Sequence, residues 1–398
     1  MPSNNKVQKY FLNKVNLNGY KSIKNVEVEF NDGLNIIIGK NASGKTNFLS
    51  FLNNVLSFDF KEIQKSNDSF FSNIFFTGQD KIEIKFKGEI NHSEVFSYIN
   101  KTELFINNKE IDIHTKNIEN ILPTYNFDFI NIFVRHGIPS YYLISDKPFS
   151  FIVKENGIST DLANHSMDIN QAYFIKSFFA HIYFSLQKEK NNINNSKIQK
   201  IIIEEFNKII PIKYLNKYSP IQDVKLNEDF NISKLTDKQS YAITNLLFRF
   251  KIAGNWYPFS SLSDGTKRLF YIISEIACSC NLKTSNNSFE IKPENTNKII
   301  LIEEPELGVH PHQLMLLMNF FKEIAETKQV IISTHSPLVL DVIATKEDLE
   351  RIIIAKIDDA NEGTKLTHLN NEEKNSALKY IEEEAYLSDY WIYSDLEK

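Results

Sequence analysis

Between an apolar run, Asn35-Ile36-Ile37-Ile38, and a helically spaced one, Phe48, Leu49, Phe51, Leu52 and Leu56, stand Gly39-Lys40-Asn41-Ala42-Ser43-Gly44-Lys45-Thr46. The two glycines let the backbone curl until successive N–H groups point inward, which is how a polypeptide holds phosphate oxygens. The helix beginning near Lys45 adds the positive end of its dipole at the same place. In this strand–loop–helix setting the Lys45 ammonium is expected on the β and γ phosphates of a nucleotide, and the Thr46 hydroxyl on Mg²⁺. Asn41 lies within the loop and Asn47 directly follows it.

Three later clusters carry complementary chemistry. Residues 299–306 read IILIEEPE, an apolar strand ending in Glu303 and Glu304. A carboxylate there can hold Mg²⁺, and its neighbour can orient an attacking water as general base. Paired acids after a strand are common in themselves, and it is the preceding phosphate loop that directs this pair to function. The pentapeptide LSDGT, Leu262 to Thr266, offers the Ser263 hydroxyl and the Gly265 N–H at the start of a helix read as Lys267 to Cys278. In isolation it reads as an ordinary helix N-cap. As a second anion-binding tip it makes sense if it closes over the γ-phosphate held by a partner subunit. In IISTHSP, His335 follows another apolar strand, where an imidazole can sense a terminal phosphate. His310 and His312, at i and i+2 around a proline with Glu306 nearby, make poor metal-ligand geometry without further donors.

The order GKNASGKT, LSDGT, LIEEPE, STHSP resembles the ABC-ATPase head, in the branch shared by RecF- and SMC-type DNA-repair proteins and OLD-family ATPases. The opening GYKSIKNVEVEF…GLNIIIGKNASGKT is similar to the start of that branch. The resemblance covers roughly residues 10–57 and 258–345, and the tail more loosely. It implies an α/β fold of the P-loop NTPase class, with an antiparallel β subdomain, a central mostly parallel sheet and a helical insertion. It also implies an ATP-driven homodimer or higher homo-oligomer. In that dimer Gly39 to Asn47 bind ATP, Thr46 and Glu303 attend Mg²⁺, and Ser263 and Gly265 act in trans. Glu304 is the catalytic base, His335 the switch, and Leu307 to His310 the loop linking two sites. Three departures stand out. Glu303 replaces an aspartate, a change able to slow turnover; Asp264 replaces a glycine near the facing phosphate; and the family's Mg²⁺-contacting glutamine is unidentified, Gln79 being one candidate.

These residues need elements to position them. Val15 and Leu17, then Ile23 to Phe30, then Leu34 to Ile38 read as three strands, with Asn31-Asp32-Gly33 turning the second into the third. Alternation over about 72–114 suggests an antiparallel sheet, 115–160 gives no clear pattern, and 167–250 reads as mostly helical. Continuous apolar runs at Lys298 to Ile302 and Val330 to Ile332 suit central parallel strands. The tail adds strands at Arg351 to Ile357 and Lys365 to Leu369 and an acidic helix at Glu372 to Glu384. The expected divisions are 1–57 with the phosphate loop, 58–165 rich in β, 166–257 a helical insertion, 258–345 with the remaining motifs, and 346–398 an extension.

At 398 residues, with 42% hydrophobic and 24% charged, the chain can bury a large core. A net charge of −5 argues against coating nucleic acid with the whole surface. Residues 171–251, however, hold thirteen Lys and Arg against seven Asp and Glu, either a solvated face or a contact for nucleic acid or an acidic partner. No helix here is long enough for an extended coiled-coil arm. Cys278 and Cys280 suit reduced core thiols, and no secretion signal or run of about 18 apolar residues appears, so a cytoplasmic protein without a membrane span is expected. OLD-family chains often continue into a TOPRIM nuclease. Here 63 residues follow His335, and Asp358-Asp359 lacks the separated glutamate and DxD pattern, so no nuclease of its own is expected. The leading expectation is an ATPase resembling bacterial anti-phage or abortive-infection components, controlling a separate effector such as a nuclease. The alternative is a DNA-binding repair ATPase of the RecF or SMC kind. An ABC transporter subunit is disfavoured, since the insertion lacks membrane-facing character.

Overall fold

Gly33 takes a left-handed backbone, φ +77°, and there the chain leaves one sheet for another. Before it, β1 (Phe11–Tyr20) and β2 (Ile23–Glu29) pair antiparallel; after it, β3 (Leu34–Ile38) enters a parallel sheet. The three expected strands therefore exist but belong to two sheets. The buried Asn35 side chain sets this corner, accepting from the Asn31 N–H at 2.9 Å and donating to the Asn31 carbonyl at 2.8 Å.

The computed structural model describes residues 10–57, 70–78, 80–89, 98–111, 129–138, 149–154, 157–159, 173–189, 194–235, 240–285, 288–291, 296–343, 345–357, 363–383 and 386–394. Gln79, Asp358 and Asp359, singled out above, lie outside them. The chain forms two compact units: Met1–His136, Asn295–Leu307 and Met318–Lys398 make the first, and Gly137–Glu294 with Gly308–Leu317 the second.

In the first unit, β4 (Phe70–Thr77), β5 (Lys81–Glu89), β6 (Tyr98–Ile106) and β7 (Lys109–Ile111) extend the first hairpin into an antiparallel sheet ordered β2-β1-β4-β5-β6-β7. The other sheet runs β21-β20-β3-β19-β18-β8, built from β8 (Phe129–Val134), β18 (Asn297–Glu303), β19 (Gln329–Thr334), β20 (Ile352–Lys356) and β21 (Lys365–His368). All its pairings are parallel except β20 with β21. Every residue of β3 and β19 is buried, as strands covered on both faces must be. Helix α1 (Lys45–Leu56) shares one apolar cluster with both sheets: Phe48 stacks on Phe30 at 6.2 Å, and Phe51 meets Tyr20 at 5.2 Å. The buried Gln329 side chain bridges the sheets, bonding both the N–H and the carbonyl of Leu12 at 2.8 Å. β8 lies in the 115–160 stretch that gave no clear pattern, and it borders β18.

The second unit carries strands β9 (Phe149–Lys154) and β10 (Gly157–Ser159), then helices α2 (Tyr173–Lys188), α3 (Asn195–Ile209) and α4 (Ile212–Tyr218). Five strands follow: β11 (Asp223–Leu226), β12 (Asn231–Lys234), β13 (Tyr241–Leu246), β14 (Phe248–Ile252) and β15 (Asn255–Pro258). Helix α5 (Asp264–Ala277) and the hairpin β16 (Leu282–Ser285) with β17 (Ser288–Ile291) complete it. The expectation of a mostly helical 167–250 is thus corrected: beyond Tyr218 the regular elements among the described residues are strands β11 to β14. The strands are only four to six residues long, and a period of two over so few positions competes poorly with helical spacing. Rings from helices and strands fill the core, with Phe206 against Phe248 at 5.2 Å and Phe250 against Phe270 at 4.8 Å. Cys278 and Cys280 are buried and are not joined in a disulfide.

Helix α6 (Pro311–Ala325) divides its residues between the units, and α7 (Asn371–Glu382) and α8 (Leu387–Tyr393) close the first. No helix among the described residues is long and apolar enough to cross a membrane, which says nothing of a β-barrel.

Candidate functional site

The loop from β3 to α1 is shaped by what glycine lacks. A Cβ on Gly39 would lie 2.0 Å from the Ala355 carbonyl oxygen of β20, and one on Gly44 would lie 1.9 Å from the Thr364 hydroxyl. Gly44 has φ +93° and Ala42 φ +65°, so the loop turns through left-handed backbone before the helix starts. Gly44 is the N-cap of α1, and no side chain caps that end. The N–H groups of a helix's first turn have no intrahelical partner, which makes this end suited to an anion.

Lys45 is only 5% exposed. Its ammonium donates to the Gly39 carbonyl at 2.6 Å, the Lys40 carbonyl at 2.8 Å and the Ser43 hydroxyl at 3.3 Å. The loop therefore holds its cation against its own concave side, while Lys40, Asn41 and Ala42 are exposed. Asn47 is placed differently from the rest: its amide donates to the Ser22 hydroxyl at 2.9 Å, and Ser22 in turn meets Thr364 at 3.0 Å.

At the end of β18 the two consecutive glutamates occupy different environments. Glu303 is buried and hydrogen-bonded to the Thr46 hydroxyl and, at 3.0 Å, to His136 Nδ1. Burial pushes its carboxyl up, but the bonds from Thr46 and His136 and the charge of His136 outweigh burial and hold it below the usual carboxylate range. A charged carboxylate beside a hydroxyl is a hard-oxygen pair of the kind Mg²⁺ accepts, so these residues fit the ion the loop implies. Glu304 is 24% exposed on its side chain and has φ +44°, an uncommon backbone for glutamate, secured by its N–H bond to the Ser333 carbonyl at 2.8 Å. His335 Nδ1 lies 3.5 Å from Glu304 and 3.2 Å from Glu306.

The sequence weighed Glu306 only as a neighbour of His310 and His312, and it did not single out His136. Glu306 accepts from the Thr334 hydroxyl at 2.6 Å and from the His335 N–H at 3.1 Å, so it fixes the turn that carries His335. It was visible as the third acid of IILIEEPE. His136 lies two residues beyond the end of β8 and reaches Glu303, and its only signal was the short apolar run Phe129 to Val134.

Ser263 and Gly265 belong to the second unit. Ser263 is the N-cap of α5: its hydroxyl accepts from the Thr266 N–H at 3.3 Å and meets the Thr266 hydroxyl at 2.9 Å. The helix begins at Asp264, three residues before the expected start, because this cap organises its first turn. A Cβ on Gly265 would come within 3.0 Å of the Gln313 side chain and 3.2 Å of the Gly308 carbonyl. The unusual Asp264 is exposed and pairs with Lys267 at 3.3 Å. His310 Nδ1 accepts the His312 N–H at 3.3 Å.

Residues 11–340, which include the phosphate loop, Ser263, Gly265, Glu303, Glu304 and His335, match the model of the AAA ATPase domain family. The chain belongs to that family. This AAA ATPase domain is 28% identical over 162 residues to the retron Vc95 probable ATPase of Vibrio cholerae serotype O1 biovar El Tor, a match spanning 41% of the chain and 28% of that relative. It is 22% identical over 340 residues to the Septu protein PtuA of Bacillus thuringiensis, covering 84% of the chain and 74% of the relative. Among solved structures, the SMC head bound to the C-winged helix domain of ScpA superposes with a TM-score of 0.52 at 16% identity, covering 93% of this chain and 99% of that one. The Smc head with an extended coiled coil, bound to the C-terminal domain of ScpA derived from Pyrococcus furiosus, gives 0.52 at 14% identity, covering 94% and 100%. These likenesses establish an SMC-head-like P-loop ATPase fold for the AAA ATPase domain.

Proposed function

We propose that this ATPase domain binds ATP with Mg²⁺, closes as a homodimer or higher homo-oligomer, and hydrolyses the nucleotide to control a separate effector protein. The observation that carries the reading is the contrast between the glutamates ending β18. Glu303, buried, charged and bonded to Thr46, is suited to holding a cation; Glu304, more exposed and 3.5 Å from His335, is suited to taking a proton from water. Thr46 and Glu303 would hold Mg²⁺, which when bound neutralises charge on phosphate oxygens. Lys45 and the first-turn N–H groups of α1 would bind the β and γ phosphates, Glu304 would orient and deprotonate the attacking water, and His335, braced by Glu306, would contact the γ-phosphate.

Ser263 and Gly265 would grip that phosphate from a second copy, because one chain needs a single cradle for each nucleotide. Similarity to a retron ATPase and to a Septu protein supports a place in a bacterial anti-phage or abortive-infection system. A nuclease would suit the role of effector. The alternative, a DNA-clamping repair ATPase, would show hydrolysis stimulated by DNA and indifferent to any effector.

Mixing two inactive variants tests the shared site. Lys45→Ala removes the loop cation, while Ser263→Asp keeps a helix-capping oxygen but opposes a facing phosphate. In a mixed dimer one composite site keeps an intact Lys45 and an intact Ser263, so ATPase activity should return to a substantial fraction of wild type. If the mixture stays as inactive as either variant alone, the site is not shared between copies.

A further inference from the structure

Strand β14 alternates over its first four residues: Phe248 and Phe250 are buried, while Arg249 and Lys251 occupy its other face. The antiparallel register places Lys225 of β11 opposite Arg249, and Trp256 of β15 opposite Lys251. Side chains directly opposite in a ladder share a face, so Lys225, Arg249, Lys251 and Trp256 form one surface of the three-stranded sheet. The Lys225 ammonium stands 4.7 Å from the Trp256 ring centroid and that of Lys251 6.0 Å, and the indole is 38% exposed. Asp223, opposite Lys251, is the acid on this face, yet among the described residues none of the three cations forms an ion pair.

The platform is held firmly. Ala253 and Gly254, with φ +48° and +83°, form the two-residue turn whose twist suits a tight hairpin, and the Gly254 N–H donates to the Gln222 side chain at 2.8 Å, tying the turn to the approach of β11. A groove of about 590 Å³ runs alongside, lined by Lys251, Gln222 and Asn216 among others.

We propose that this face binds single-stranded nucleic acid, with Lys225, Arg249 and Lys251 on backbone phosphates and Trp256 stacked against a base. Cations interleaved with an exposed ring on a sheet face are what an unpaired strand requires, since its bases are free to stack. In a duplex the bases stack on one another and leave the indole nothing to bind. The lysines already rest over the ring, so less side-chain freedom remains to be lost on meeting phosphate. An acidic protein segment would also satisfy the charges. One such segment is residues 371–398 of a second copy, with eight acids against three lysines, but it would leave the indole without a role. The site stands apart from the proposed hydrolysis, because none of its four residues belongs to the phosphate loop, the β18 carboxylates or the Ser263 tip.

The test is binding of a fluorescent oligothymidylate to the full chain without nucleotide, over a series of salt concentrations. Affinity should fall as salt rises. Lys225→Glu and Lys251→Glu should each weaken binding about tenfold at low salt and lower the slope of log affinity against log salt by about 0.7 or more. Trp256→Ala should weaken binding roughly tenfold while leaving the slope unchanged. Lys200→Glu, reversing an exposed lysine on α3, should have far less effect. The chain has two tryptophans, Trp256 and the buried Trp391, so the strand should quench fluorescence that Trp256→Phe removes. Lys225→Ala with Lys251→Ala serves if a reversal fails to fold. Equal binding by these variants, equal affinity for duplex without quenching, or preference for polyglutamate over the oligonucleotide would each overturn the proposal.

Discussion

Glu306 holds His335 by its backbone and its ring at once: one carboxylate oxygen accepts the His335 N–H at 3.1 Å and lies 3.2 Å from its Nδ1. The same oxygen accepts the Thr334 hydroxyl at 2.6 Å, while the other is buried without a hydrogen-bond partner among the described residues. Glu306→Gln keeps an acceptor for the turn and should leave kcat within about tenfold of wild type. Glu306→Leu removes the acceptor and should cost about 10²-fold in kcat with nucleotide affinity little changed, because a small misplacement of a reacting group costs about that much. Steady-state kinetics beside fluorescent-nucleotide binding separate the two effects.

Glu304→Gln should lower hydrolysis by about 10²–10⁴-fold, the range for losing a general base, while retaining ATP binding and trapping a dimer visible by light scattering. Lys45→Ala should lose nucleotide affinity instead. Normal hydrolysis by Glu304→Gln would mean that another residue is the base.

Gly39→Ala and Gly44→Ala place a methyl group about 2 Å from the Ala355 carbonyl and the Thr364 hydroxyl respectively. Each should destabilise the fold by about 1–3 kcal/mol or more, as overpacking does. Thr364→Gly should partly rescue Gly44→Ala, whose clash is with a side chain, but the left-handed backbone there will still oppose alanine. No neighbouring substitution should rescue Gly39→Ala, whose clash is with backbone. Thermal melts of the five proteins decide it.

Glu275, fully buried in α5, accepts the N–H groups of Tyr173 at 2.5 Å and Phe174 at 3.1 Å at the start of α2. Burial pushes its carboxyl up to about 8, against the opposing pull of those two bonds and of Lys176. The native state therefore keeps a proton that the unfolded chain releases above its ordinary value of 4.5. Stability from this group is intact below that value, falls as pH rises toward about 8, and levels off beyond. Glu275→Gln should flatten the decline while still accepting from the helix end, whereas Glu275→Ala should flatten it too but cost about 1–2 kcal/mol at the acid end through the lost cap, a deficit that shrinks as pH rises. Chemical denaturation at pH values spanning that window tests both.

Much of the candidate site's local structure was legible in the residues themselves. The turn of GKNASGKT is largely a local property: two glycines at fixed spacing, a strand before and a helix after favour this backbone. The continuous apolar runs of β3, β18 and β19 likewise announced central parallel strands, since only strands covered on both faces lack alternation. The strands between Asp223 and Phe250, within the stretch 167–250 expected to be mostly helical, were misread because each is too short for its period to show, and they are stabilised by aromatic contacts with distant helices.

Long-range pairing decided the rest. His136 lies 167 residues from Glu303 in the chain, and only the parallel pairing of β8 with β18 brings them to 3.0 Å. Lys225 and Trp256 become one surface through antiparallel registers that no local pattern encodes. A loop's dihedral preferences and a helix's cap are set by neighbouring residues, and so the order of residues alone determined the turn from Gly39 to Thr46. Which acid meets which histidine, and which lysine rests on which ring, depends on how the strands are ordered and registered, and that was decided only when the chain closed on itself.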